Sequence, residues 1–153
     1  MEKPEKSEKP EKQQTIFNIT TVSREECVKS ISELTHGFHL NSEYVGRLIQ
    51  TIYSKMGIIK GTMAAPWSPE VREAVVGQNG HFFKLTTVNC DVIFIWHDKT
   101  EHEYVFFGSS KRRVVQAMHV IKNRIKTCSQ RHQAIIDAQE PAFIQHEYDL
   151  YDF

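Results

Sequence analysis

The sequence predicts a single α+β domain, on three observations. Two apolar runs of strand length, "DVIFIWH" from Asp91 and "YVFFG" from Tyr104, flank a short polar loop, "DKTEHE". Val114, Met118, Ile121 and Ile125 recur at the spacing of one face of a long helix. Helix-start chemistry stands at Ser23-Arg24-Glu25-Glu26 and at Ser68-Pro69-Glu70. The expected divisions are a disordered charged leader over 1–14, an N-terminal extension with two helices over 15–56, a domain over 57–138 ending in a long helix, and an acidic aromatic tail over 139–153.

Taken in order, "MEKPEKSEKPEKQQ" repeats a charged, proline-containing unit with no apolar residue after Met1, so ordering it would gain no burial. "TIFNITTV" is β-prone but short, ambiguous between an edge strand and a packed linker. Ser23 is placed to cap a helix over about 24–35 that carries Cys27, Ile31 and Leu34 on one face. Asn41 or Ser42 begins a second helix whose Val45, Leu48, Ile49, Ile52 and Met56 share a face before Gly57 ends it. "GIIKGTMAAPW" is weakly strand-like. Ser68 then caps a helix with Pro69 in its first turn and Val71, Ala74 and Val75 along it, running into Gly77.

That helix decides between two readings of "VVGQNGHFFKL". Asn79-Gly80 alone is a strong signal for a tight β-hairpin. A chain that arrives at Gly77 as a helix makes the same dipeptide a turn between helices. "HFFKLTT" is ambiguous in isolation, "DVIFIWH" and "YVFFG" follow as antiparallel strands, and the last helix is expected to extend to about Ala138, before Pro141.

Composition excludes several functions. Lysine plus arginine equals aspartate plus glutamate at 19 each, so no overall field draws the chain to nucleic acid or membrane. No apolar run is long enough to span a bilayer and the N-terminus is hydrophilic, so an intracellular protein, in the cytoplasm or nucleus, is expected, with a virion as the alternative. Cys27, Cys90 and Cys128 lack Cys-x-x-Cys spacing and fit reduced thiols. Among the eight histidines, His36 with His39, His97 with His102, and His132 with Cys128 give the closest metal-like spacings, and none completes a four-ligand pattern. With no hydrolase, P-loop or zincin motif present, no enzyme, metal or cofactor is expected.

The order strand, helix, Gly77-x-x-Gly80, helix, strand, polar loop, strand, long helix resembles the type I K-homology (KH) domain, a β-α-α-β-β-α fold. The resemblance covers about residues 57–127 and includes Val75-Val76 before the loop, Phe83-Lys84 after it and Gly108 ahead of the last helix. Glycines leave the backbone free of Cβ atoms, so a sugar-phosphate chain can approach closely, and a helix N-terminus presents N–H groups and positive dipole. The resemblance implies that Gly77, Gln78, Asn79 and Gly80 hold the backbone of about four single-stranded nucleotides. Bases would lie in an apolar groove with Val76, Phe82, Phe83 and Ile93 nearest, and Lys84 would assist. It implies RNA more than DNA as the partner.

Gln78 and Asn79 offer neutral hydrogen bonds where many KH loops carry lysine or arginine, so modest, salt-sensitive affinity is expected. Asp98, Glu101 and Glu103 oppose phosphate at the polar loop, and Leu85 sits one position off the apolar spacing of its helix. A basic cluster without acids, including Lys111, Arg112, Arg113, Lys122, Arg124, Lys126 and Arg131, is either a solvated face or a phosphate-binding surface. Both faces of the strands are apolar, with Val92, Phe94 and Trp96 expected on one side and Ile93 and Ile95 on the other. KH helices cover one side, so the N-terminal helical hairpin is expected to pack on the second, and any exposed remnant would dock a protein partner or a second copy. "HEYDLYDF" at the C-terminus is a packed tail or a short docking motif. The leading expectation is a non-enzymatic single-stranded nucleic-acid-binding adaptor. The alternative is a protein-protein or assembly module, such as a component of a viral particle.

Overall fold

The computed structural model describes residues 16–35 and 42–151, the side chains of 42 and 140–151 excepted. The leader over 1–14, Asn41 and the side chains of the C-terminal tail lie outside the described residues. The chain is α+β and is built on a four-stranded antiparallel sheet. Its elements run β1 (Asn18–Val22), α1 (Arg24–Leu34), α2 (Ser42–Tyr53), β2 (Ile58–Ala64), α3 (Pro69–Val76), α4 (His81–Cys90), β3 (Phe94–Asp98), β4 (Glu103–Gly108) and α5 (Lys111–Tyr151). The sheet order is β1-β2-β4-β3.

Local chemistry sets most boundaries. Ser23 Oγ accepts from the Glu26 N–H at 3.0 Å to start α1, and Ser68 Oγ accepts from the Val71 N–H at 3.3 Å to start α3 with Pro69 in its first turn. The run left ambiguous by its length is an edge strand: β1 pairs with β2 from Asn18↔Thr62 to Val22↔Ile58. Helix α2 ends at Tyr53, short of Gly57, because side chains close its last turn. Ser54 donates to the Thr51 carbonyl, and Arg24 Nη1 donates to the Tyr53 and Lys55 carbonyls at 3.2 and 3.0 Å. Met56 therefore leaves the helical face and is 99% exposed, and Leu48 and Ile52 carry the burial.

Two cores share the sheet. On one face Met63, Ile95, Tyr104 and Phe106 pack with Val71 and Val75 of α3, Phe83 and Cys90 of α4, and Val114, Ala117, Met118 and Ile121 of α5. On the other, Ile58, Phe94, Val105 and Phe107 pack with Cys27 and Ile31 of α1 and Leu48 and Ile52 of α2. The hairpin of α1 and α2 thus covers the second apolar face, which leaves that face unavailable as the docking surface considered from sequence. Alternation fails at the start of β3. Val92 joins the first core, whereas Ile93 and Phe94 both join the second. The reason is that β3 begins only at Phe94: the Ile93 N–H donates to the Phe107 carbonyl at 2.7 Å while Phe94 is the register partner of Phe107, so two residues oppose one.

Helix α5 does not stop before Pro141 and runs on to Tyr151. Proline removes one N–H and crowds one carbonyl, a local penalty, and Ala138, Gln139, Glu140 and Ala142 around it are favourable or tolerant helix residues. All three cysteines are free and buried. Burial pushes the Cys27 thiol up to about 12, so it is an inert core group.

Helix α5 meets the sheet where two strands lack side chains. A Cβ added at Gly61 would lie 2.9 Å from Val114 Cγ1 and 2.6 Å from Met118 Sδ, and one at Gly108 would lie 2.7 Å from Val114 Cγ2. Gly61→Ala is therefore expected to cost about 1–3 kcal/mol by overpacking. Denaturant melts should show a smaller cost in a Val114→Ala background, where the opposing methyl groups are gone; equal costs in both backgrounds would contradict this packing.

Candidate functional site at the Gly77–Gly80 loop

Helix α3 stops at Gly77 because its backbone there, φ 85° and ψ 162°, is open only to a residue without Cβ. Gly80 and Asn79 also have positive φ, 73° and 56°, and the Gly80 N–H donates to the Gly77 carbonyl at 3.0 Å. Asparagine tolerates the left-handed region better than most residues, so Asn79 holds the turn without strain. Residues 78–80 form a single 3-10 turn that delivers the chain into α4. Gln78 and Asn79 are exposed at its tip. Gly80 stands at the N-cap of α4 and brings no side-chain cap, and the His81 N–H donates to the Gln78 carbonyl.

Lys84 lies one turn along α4 and is exposed, its Cε 4.0 Å from where a Gly80 Cβ would be. Phe82 is partly buried beneath the turn: a Cβ on Gly77 would fall 2.5 Å from Phe82 Cδ2. Above that ring sits a residue that sequence reading placed only within a general basic stretch. Arg124 of α5 lies with Cζ 3.2 Å from the Phe82 ring centroid, and it donates from Nε to the Val75 carbonyl at 3.1 Å and from Nη2 to the Ala74 carbonyl at 2.6 Å. These are the last carbonyls of α3, which has no basic residue in its own last turn.

The other expected site residues divide. Val76 is partly buried against the core beside the loop. Phe83 is 5% exposed and meets Tyr104 edge-on at 5.1 Å, so it is a core residue and presents no surface to a ligand. Ile93 is 8% exposed and faces α1 and α2 on the far side of the sheet, because of the displaced start of β3. Lys111, Arg112 and Arg113 begin α5 next to the end of α4, where Arg113 pairs with Asp91. The Gly77–Gly80 loop is at the other end of the 10-residue α4, about 15 Å away, so these cations and the loop are not brought together. Leu85 is 45% exposed, and the inward position next to it is filled by Thr86, whose hydroxyl donates to the Phe82 carbonyl at 2.8 Å.

At the opposite rim the β3–β4 loop is acidic and aromatic. Asp98 Oδ1 accepts from the N–H groups of Thr100 and Glu101. Glu101 and Glu103 line a cavity of about 450 Å³ together with Ile16, Asn18, Ala64 and Trp67. Burial, then the nearby Asp98 carboxylate, raise the Glu103 carboxyl above its ordinary value. Trp67 is 53% exposed and stacks on His102 with centroids 4.3 Å apart, and Arg72 Nη1 fixes this turn by donating to the Pro66 and Trp67 carbonyls. His97 and His102, noted for their spacing, lie with rings 6.4 Å apart. Among the described residues, no three histidine, cysteine, aspartate or glutamate side chains group where they could hold a metal ion. None of the helices, over the same residues, is long and apolar enough to cross a membrane.

No protein-family model, curated protein or solved structure matches this chain.

Two outcomes follow from the local geometry. Gly77→Ala should destabilise more than Gly80→Ala in thermal melts. Gly80→Ala incurs about 1–2 kcal/mol of left-handed backbone strain, whereas Gly77 lies in a region essentially restricted to glycine and also adds a collision with the Phe82 ring. The second concerns acid. Burial, then the Arg72 charge, push His97 down to about 4, against an ordinary value of 6.5. Between those values the unfolded chain binds a proton that the folded chain refuses. The His97 contribution to stability is thus complete above pH about 6.5 and declines as pH falls toward 4. Denaturant midpoints measured over that window should fall less steeply in His97→Gln than in the wild type; parallel curves would refute the assignment.

Proposed function

We propose that the chain is a non-enzymatic KH-like adaptor that binds single-stranded nucleic acid, RNA in preference to DNA, at the Gly77–Gly80 loop. The run β2-α3-α4-β3-β4-α5, with β4 between β2 and β3 in an antiparallel sheet, supports the type I K-homology reading of residues 57–138. One observation carries the functional half. Two positive-φ glycines join helices so that exposed Gln78 and Asn79, the uncapped start of α4 and Lys84 stand together on one surface. Backbone amides, the two neutral side chains and a single lysine suit a phosphodiester chain held lightly, while the acids at the β3–β4 loop oppose a long electrostatic track. With Phe83 and Ile93 in the cores, base contacts fall to Val76 and the exposed rim.

A second reading, a protein-protein or assembly module such as a particle component, is favoured by apolar groups on the surface. Leu85 and Val88 are exposed three residues apart on α4, and Met56 projects beyond α2.

Titration of a labelled single-stranded oligonucleotide library at low and at physiological salt separates the two. Changing both Gln78 and Asn79 to Asp should weaken binding at least tenfold and leave the fold intact, since aspartate also tolerates the Asn79 backbone. Absence of binding at low salt, or binding indifferent to the change, would remove the nucleic-acid reading. An oligomer by light scattering that ignores oligonucleotide would favour the assembly reading.

A further inference from the structure

The Gly77–Gly80 turn lacks a cation of its own, yet one is delivered to it from 44 residues away in the sequence, by α5. We propose that Arg124 is the cation of the loop, holding the α3–α4 junction in place and offering its remaining guanidinium nitrogen to a phosphodiester oxygen; this rests on the nucleic-acid reading above.

Three features of Arg124 carry the inference. First, its bonds to the Ala74 and Val75 carbonyls use Nε and Nη2, and Nη1 makes neither of them. Arginine has five N–H donors in a planar fork, so donating two leaves donors that do not compete with the clamp. Second, the guanidinium carbon lies over the Phe82 ring, 3.2 Å from its centroid, and the edge of that ring fills the space under Gly77. The charge is thereby fixed against α4 at its first turn. Third, the two helix ends that meet at the loop have opposite sign. The C-terminal carbonyls of α3 carry partial negative charge and the first N–H groups of α4 carry partial positive charge, and side by side they largely cancel for an approaching anion. Arg124 covers the negative end alone. What remains is the positive end of α4 plus the charge of the guanidinium.

A purely structural arginine and a phosphate-binding one differ in how binding responds to salt. A contact that neutralises one phosphate of a single strand contributes roughly 0.7 to the slope of log K against log salt. The probe is a fluorescein-labelled eight-nucleotide oligouridine, titrated between low and physiological salt against the full chain and its Arg124→Met and Arg124→Lys variants, each checked by thermal melt. Arg124→Met should lose about tenfold in affinity at low salt and roughly 0.7 in slope. Arg124→Lys keeps the charge without the planar fork, and should keep the slope while losing a few-fold in affinity.

A melting temperature lowered in Arg124→Met with the slope unchanged would make the residue structural only and overturn the proposal. If Arg124→Met does not fold, Arg124→Gln, which keeps amide donors for the α3 carbonyls without the charge, takes its place: a slope lowered by roughly 0.7 supports the proposal and an unchanged slope overturns it. Binding weakened by aspartates at Gln78 and Asn79 but untouched by either Arg124 variant would remove Arg124 and leave the loop reading standing. Failure of the wild type to bind the oligonucleotide would remove both.

Discussion

The seating of α5 on the sheet governs the rest of the molecule. Val114 sits against two strand positions that carry no side chain, Gly61 on β2 and Gly108 on β4, and Met118 follows one turn later. Those absences let the helix axis approach the strands closely, which fixes both its height and its direction over Tyr104 and Phe106. Everything further along α5 inherits that geometry. Ten residues beyond Val114, about 15 Å along the axis, Arg124 arrives at the last carbonyls of α3 and the ring of Phe82. The conformation of a surface turn is thus referred back to a contact deep in the core.

The sheet is a shared wall between two cores, and this determines where function can reside. Tyr104 and Phe106 face one way, Val105 and Phe107 the other, and all four are almost completely buried. Neither broad face is left for a ligand. The surface that remains is the rim, where a neutral turn flanked by Lys84 and Arg124 lies at one end of α3 and an acidic loop with Trp67, Glu101 and Glu103 lies toward the other. A protein with equal numbers of acids and bases can still be electrostatically polar over the length of one short helix.

How much of this was legible in the sequence depends on the range of the interaction involved. Helix α3 could be read nearly to the residue, because Ser68, Pro69 and Gly77 act through hydrogen bonds and backbone angles within a few positions of themselves. The turn at Asn79-Gly80 was readable for the same reason once the helix before it was recognised. The packing of the α1–α2 hairpin on the sheet could be read from unmatched apolar faces, but readings that required the exact partner of a single side chain did not hold. Phe83 and Ile93 carry the residue types of a ligand groove, and only the packing of α4 on Tyr104, and the doubled opposition of Ile93 and Phe94 to Phe107, sends them into the two cores. Met56 fits the spacing of α2 but lies past the point where Arg24 closes that helix. Arg124 belonged visibly to a basic stretch, and nothing in its neighbours distinguishes it from Lys126 or Arg131; its role is set by carbonyls about fifty positions earlier.

The hydrogen bond from the Gly80 N–H to the Gly77 carbonyl also bears on how this protein ages. An asparagine followed by glycine is the sequence most prone to deamidation, through attack of the glycine backbone nitrogen on the asparagine side-chain amide to form a succinimide. In this turn that nitrogen is already engaged with Gly77, and Asn79 is held at φ 56°, ψ 28° with helices on both sides. The attacking atom must first leave its bond and the backbone must first rotate. The geometry that leaves the loop exposed to solvent therefore slows its conversion to a negatively charged aspartate or isoaspartate, and protects the neutral character of the surface over the lifetime of the molecule.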